Sequence, residues 1–249
     1  MRFDDDFKKT IPPDWDARLR AVLERARALG SRAVLAFDLD STLFDNRPRQ
    51  ARIVREYGAA RAVAPLLGCV AHHFDSGWDI EAALRNCGLS AEEAGRHYPD
   101  VRGFWQERFF TSDYCAEDEA IEGAAAFTHA VVGAGATLCY VTGRHEGMRE
   151  GTVVAMKKCG LAPPDGGRVV LMMKPHAKVN DDAFKREAHE RLGGLGTVVA
   201  AFDNEPTHAN DYRSRFPDAA VFHLATDHSG RPVALLPGVV SVPHFGITL

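Results

Sequence analysis

Short, unbroken apolar runs alternate along this chain with longer stretches in which apolar residues recur every three or four positions. The first run, 33–37, reads Ala-Val-Leu-Ala-Phe and lies between Arg32 and Asp38. Five consecutive apolar residues are too few for a helix, and they fill both faces of a strand, which predicts a place inside a parallel sheet. Similar runs return at 137–141, 169–173, 198–202 and 220–224. Ahead of the first run, Leu19, Val22, Leu23, Ala26 and Leu29 repeat at helical spacing and Gly30 supplies a stop. Segments of helical composition at 121–132, 147–159 and 181–192 separate the later runs. Strand and helix in alternation predict right-handed crossovers and a doubly wound, mainly parallel α/β sheet.

The stretch 46–118 breaks this rhythm. It carries helical patterning and many aromatic residues but no buried strand pattern. It is expected to form an inserted α-helical cap, with helices at 50–67, 79–86 and 91–110, the last broken at Pro99. The core is then 1–45 together with 119–249. A chain of 249 residues can bury one core plus a smaller inserted unit.

Charge and cysteine usage narrow the partners. A net charge of -4 argues against a broad basic surface for nucleic acid, because such binding rests on lysine and arginine displacing counterions. Cys69, Cys87, Cys115, Cys139 and Cys159 are scattered and form no C-x-x-C pair, so neither a disulfide framework nor a structural zinc site is indicated and a cytoplasmic setting is expected. The N-terminus is acidic where a secretory signal needs a basic start and an apolar run. No apolar stretch reaches the roughly twenty residues that span a bilayer, so no membrane partner is expected.

The chemistry concentrates where the first strand ends, in Phe37-Asp38-Leu39-Asp40-Ser41-Thr42. In open α/β sheets ligands bind at the carboxyl ends of strands. Side chains two apart on extended backbone share a face, so Asp38 and Asp40 can address one substrate atom, one attacking while the other moves protons.

Asp38-x-Asp40-x-Thr42 resembles the first motif of the haloacid dehalogenase-like phosphatases. The resemblance extends to Thr142-Gly143-Arg144 after the second strand, to Lys185 in the segment Asp181-Asp182-Ala183-Phe184-Lys185, and to Asp203-Asn204 after the fourth. It implies a Rossmann-like core in which Asp38 is the nucleophile of an aspartyl-phosphate mechanism. Asp40 protonates the leaving oxygen and then activates water. Thr142, Gly143 and Lys185 bind phosphate, and Mg2+ sits on Asp38, Asp203 and the Asp40 backbone carbonyl. The same chemistry follows from what phosphoryl transfer needs: an in-line nucleophile, a hard cation and donors around the equatorial oxygens. An acid at position 40 favours phosphoryl transfer over dehalogenation, since the family's dehalogenases lack it.

Lys174, Lys178 and Lys185 all fall between the second and fourth motifs. The resemblance favours Lys185, which opens a helix ahead of the Asp203 strand, with Lys174 as runner-up and Lys178 as a solvated loop charge. Asn204 and Glu205 either join the metal shell or cap the helix that follows.

Other signals are weaker. Gly133-Ala134-Gly135 precedes a strand and reads as a helix stop, not a dinucleotide loop. Cys69, His72 and His73 offer too few ligands for a metal site. Phe104, Trp105, Phe109 and Phe110 fit one helical face, which favours cap core over a substrate platform. Arg47, Arg49 and Arg144 either meet an anionic substrate or are solvated. The expected function is a Mg2+-dependent phosphohydrolase acting on a small organic phosphomonoester. The alternatives are a nucleic-acid end phosphatase, a phosphotransferase or mutase, and a non-catalytic module that binds a phosphorylated ligand.

Overall fold

A computed structural model describes residues 6–248. Residues 1–5 and 249, assigned to the core by sequence, lie outside the described residues. In chain order the elements are α1 (Asp6–Lys9), α2 (Trp15–Leu29), β1 (Ala33–Phe37), β2 (Phe44–Asp45), α3 (Arg47–Ala60), α4 (Ile80–Asn86), α5 (Ala91–Phe109), β3 (Glu119–Ala120), α6 (Ala124–Gly133), β4 (Thr137–His145), α7 (Arg149–Lys158), β5 (Val169–Lys174), α8 (Asp181–Leu195), β6 (Thr197–Asp203), α9 (Pro206–Arg215), β7 (Ala220–Leu224) and β8 (Val239–Val242).

Six strands form one sheet in the order β5-β4-β1-β6-β7-β8, and every neighbouring pair is parallel. All five residues of β1 are buried, as a strand covered on both faces requires. Leu35 and Phe37 face a core shared with Leu19 and Leu23 of α2 and Phe127 of α6. Val34 and Ala36 face the opposite core, with Phe184, Ala188 and Leu192 of α8 and Tyr212 of α9. The doubly wound sheet expected from the sequence is therefore the one observed. The strands wind outward from β1 to β5, and the chain then returns across β1 to β6. This reversal leaves a crevice between the carboxyl ends of β1 and β6, the usual ligand position in such sheets.

The segment between β2 and β3 is helical. These two short strands pair antiparallel, Phe44 with Ala120 and Asp45 with Glu119, and so bring the two ends of the insert together. Within the insert, Val54, Tyr57, Leu66, Cys69, Phe74, Leu84 and Val101 belong to a hydrophobic cluster of its own. The insert also reaches the core through Asp227, which accepts from the Ser76 hydroxyl and the Gly77 amide, both at 2.7 Å.

The expected break at Pro99 does not occur: α5 runs through it from Ala91 to Phe109. Proline deletes one backbone hydrogen bond and crowds the carbonyl four residues back. Here that residue is Gly95, and Ala94 and Val101 are buried in the insert core on either side of Pro99. Packing on both sides outweighs the local cost. Among the described residues no helix is long and apolar enough to cross a membrane.

Two buried histidines give the fold a pH dependence. His223 Nε2 lies 2.9 Å from the Asn204 carbonyl and therefore donates to it, while Nδ1 faces the Ser241 hydroxyl at 3.4 Å. Burial lowers both His189 and His223 from the ordinary 6.5 to about 4. Below 6.5 the unfolded chain takes up protons that these rings refuse in the folded state, so stability falls as pH drops from 6.5 towards 4. The loss is about 2 kcal/mol per histidine at pH 5. Thermal unfolding followed between pH 7.5 and 5 should show the midpoint falling by several degrees. The slope should be shallower in His223→Gln, and equal slopes in the two proteins would contradict the assignment.

Candidate active site

The site is assembled at the β1/β6 crevice. Asp38 continues β1, its amide donating to the Phe202 carbonyl at 2.9 Å. The chain then coils tightly. The Leu39 carbonyl accepts from the amides of Thr42, Leu43 and Phe44 at 3.2, 2.8 and 2.8 Å, and buried Leu39, Leu43 and Phe44 anchor the loop. Ser41 takes a φ of 57°, left-handed backbone that a non-glycine residue rarely adopts. Such strain persists where the surroundings over-determine it, and it is frequent at functional sites.

Helix α8 is capped by Asn180, whose side chain accepts from the Ala183 amide at 3.0 Å. Its apolar face, with Phe184 and Ala188, lies on the sheet and carries Lys185 inward with it. Lys185 Nζ donates to Asp38 Oδ1 at 2.8 Å and to Asp203 Oδ2 at 2.7 Å. Asp203, the last residue of β6, also accepts from the Glu205 amide at 2.9 Å. Residues 38, 185 and 203, distant in sequence, thus meet at one point.

Beside them, Thr142 is fully buried and its hydroxyl accepts from the Arg144 amide at 3.2 Å. Gly143 lines the cavity; a Cβ there would sit 2.6 Å from Asp181 Oδ2, so only glycine fits unless that side chain moves. Lys174 lines the same cavity and is paired with Asp181, whereas Lys178 is exposed.

Burial, together with the charges of Asp203 and Asp40, pushes the Asp38 carboxyl up to about 7 even though Lys185 opposes the shift. Asp203 is in the reverse situation: burial works against its charge, but Lys185 and His208 hold it well below the usual carboxylate range. Lys185 is likewise held above its ordinary value, against burial, by Asp203 and Asp38. One ammonium thus serves two buried carboxylates.

The second acid of the first motif has other company. Arg144 Nε and Nη2 reach Asp40 Oδ2 and Oδ1 at 2.9 and 2.6 Å, and Arg49 Nη2 reaches Oδ1 at 2.9 Å. The same guanidinium groups grip buried Asp118, Arg49 Nε at 2.9 Å and Arg144 Nη2 at 2.6 Å. Burial alone would raise Asp40, but Arg144 and then Arg49 hold it far below the usual range. Neither arginine is solvated: Arg49 is 0% and Arg144 3% exposed. Arg47 is the one that stays at the surface, paired with Asp45.

The donor set suits a hard cation. Asp38, Asp203 and the Asn204 side chain offer oxygen atoms, and two carboxylates with a single lysine leave negative charge that a dication offsets. Asn204 is held by the Thr42 hydroxyl at 3.2 Å and by the Asp227 carbonyl at 2.6 Å. Glu205 turns elsewhere, accepting from the Ser229 amide and hydroxyl, and makes no side-chain cap to α9.

A cavity of about 690 Å³ opens over this group, floored by Asp38, Asp40 and Lys185 and walled on the insert side by Trp105, Phe109 and Phe110. The aromatic run therefore divides. Phe104 packs on the insert core, Trp105 touches both core and cavity, and Phe109 and Phe110 border the cavity. A larger cleft of about 1070 Å³ lies between Phe7, His72 and His244 and contains none of Asp38, Asp40 or Lys185. Sequence reasoning missed Asp118 and His208. Neither belongs to a local motif, and His208 enters through Asp203, at 3.5 Å, and Asp182, at 2.8 Å.

A parallel sheet in this order, with acids at the β1/β6 switch point and a helical insert above, defines an α/β protein of the class whose ligands usually lie at the carboxyl edge. More narrowly, solved structures share this fold at low sequence identity. CbbY from Rhodobacter sphaeroides in complex with phosphate superposes with a TM-score of 0.51 at 16% identity, covering 87% of this chain and 95% of that one. A variant of CbbY in complex with xylulose-(1,5)bisphosphate gives 0.50 at 15%, covering 86% and 95%. Protein Tyrosine Kinase A from Mycobacterium tuberculosis gives 0.50 at 16%, covering 85% and 93%. No protein-family model and no curated protein matches the sequence.

Proposed function

We propose that this protein is a magnesium-dependent phosphohydrolase that takes the phosphoryl group onto Asp38 and acts on small organic phosphomonoesters. The observation that carries the reading is the meeting of Asp38, Lys185 and Asp203 at the switch point of the sheet. The phosphate and bisphosphate complexes of CbbY, which shares the fold, are in keeping with it. The helical insert, 46–118, serves as a cap over the reacting atoms, and a cavity of about 690 Å³ suits a small ligand.

In this mechanism the Asp38 carboxylate attacks phosphorus opposite the leaving oxygen. Lys185 neutralises Asp38 and the phosphoryl oxygens, while Thr142 and Gly143 donate to them. Thr142 uses its oxygen to accept from Arg144, which leaves its own proton for this bond. Asp38, Asp203, the Asp40 carbonyl and Asn204 would hold Mg2+, which would supply positive charge against the carboxylate and the transferred group. Asp40, fixed by Arg144 and Arg49, then activates the water that releases phosphate.

The two arginines keep Asp40 ionised, so it can accept a proton, though only as a weak base, and is poorly suited to donate one. Substrates whose leaving oxygen needs no proton should therefore react fastest. Across a phosphomonoester panel at neutral pH, aryl phosphates are expected to exceed alkyl phosphates by about 10²-fold in kcat/KM, the usual contribution of a general acid. Chelation of magnesium should abolish both activities. Equal rates for the two classes would mean that Asp40 is protonated in the first step. Tight phosphoester binding with no turnover would instead favour a non-catalytic module.

A further inference from the structure

A second group of ligating side chains lies in the helical insert, apart from the catalytic cavity. In sequence, Cys69 has only His72 and His73 close by; the fold brings a further donor in Cys87. The ligand atoms of Cys69, His73 and Cys87 all lie within 4.8 Å of one another. We propose that these three residues bind a thiophilic divalent cation, zinc by preference, as a clip within the insert.

Local structure brings the donors together from three places. Cys69 follows the short turn Ala64–Gly68 after α3, His73 closes the turn Ala71–His73, and Cys87 stands at the C-cap of α4. The frame is already tied without an ion: the Asn86 side chain donates to the His73 carbonyl at 2.9 Å, and Arg55 donates to the Cys69 carbonyl at 2.6 Å. Cys69 is fully buried, whereas His73 and Cys87 are half-buried, so a fourth position opens to water.

Two sulfurs and an imidazole nitrogen select zinc-like ions and suit magnesium and calcium poorly. Binding releases the protons of both thiols to solvent, and the two thiolates balance the dication. His73 Nδ1 accepts the Val70 amide at 3.0 Å in the metal-free chain, and ligation gives up that bond. The His72 ring, tilted against His73 with centroids 4.5 Å apart, lines the larger cleft and lies outside the ligand set. The clip would hold the segment that carries Ser76 and Gly77, the insert's contacts to Asp227.

The test is metal analysis of the full chain, purified without a histidine tag, after incubation with zinc and exhaustive dialysis. One equivalent of zinc is expected, unchanged in Asp38→Asn and lost in Cys87→Ser. Substitution of cobalt into the native chain should give thiolate-to-cobalt charge-transfer absorption, a readout that does not depend on the variant folding. Less than a tenth of an equivalent of zinc, the same zinc content in Cys87→Ser, or a Cys69–Cys87 disulfide in the freshly purified protein would each overturn the proposal. None of these outcomes bears on the phosphatase reading.

Discussion

Replacement of Asp38 by asparagine should leave a folded protein that turns over phosphomonoesters at least about 10⁴-fold more slowly, as loss of a covalent nucleophile does elsewhere. The amide keeps the shape of the carboxylate but cannot form the acyl-phosphate bond. The fold has no reason to suffer. The Asp38 amide retains its bond to the Phe202 carbonyl, and Lys185 retains Asp203. Burial and the nearby Asp203 and Asp40 already disfavour a charge at position 38, so removing it should leave the unfolding midpoint equal or higher. A variant with a tenth of the native rate would assign the nucleophile elsewhere.

Replacement of Arg49 by methionine should produce the largest loss of stability, about 3–5 kcal/mol, because it leaves two carboxylates, Asp40 and buried Asp118, sharing the single charge of Arg144. Arg49 stands on α3 and holds Asp118, just before β3, so it joins the two ends of the insert. Both side chains are completely buried. At about 2–4 °C per kcal/mol for a chain of this size, the midpoint should fall by about 6–20 °C. Activity of the surviving folded fraction should fall too, since Asp40 loses one of its two cationic partners. Removing Asp118 as well, in Arg49→Met with Asp118→Leu, should recover part of the stability, as apolar replacements of buried ion pairs often do. A loss below about 1 kcal/mol in the single variant would show that water reaches the pair.

The strands that sequence made visible are those buried on both faces, where burial leaves an unbroken apolar run. β8 is an edge strand of four residues, the first two only half-buried, and carries no such run. α9 buries Pro206, His208, Ala209 and Tyr212, a face too polar to register as an apolar period. Pro99 misled for a related reason, since its local preference is overruled by contacts from residues far along the chain.

The same division governs the site. Asp38, Lys185 and Asp203 each sit at the end of a strand or the start of a helix, places that local pattern marks. Asp118 has no such mark: its partners Arg49 and Arg144 are 69 and 26 residues away. Arg49 and Arg144 were visible as charges, but their complete burial depends on a carboxylate that only the fold brings to them. Cys87 joins Cys69 and His73 in the same way, through the turn that follows α4.

The covalent step can be observed directly by quenching the enzyme in acid during turnover and locating the phosphoryl group by peptide mass spectrometry. Phosphate carried on the peptide containing Asp38, and absent from the Asp38→Asn protein, is the predicted result. A label on any other residue, or continued turnover with no labelled peptide in Asp40→Asn, where hydrolysis of the intermediate is slowed, would contradict it.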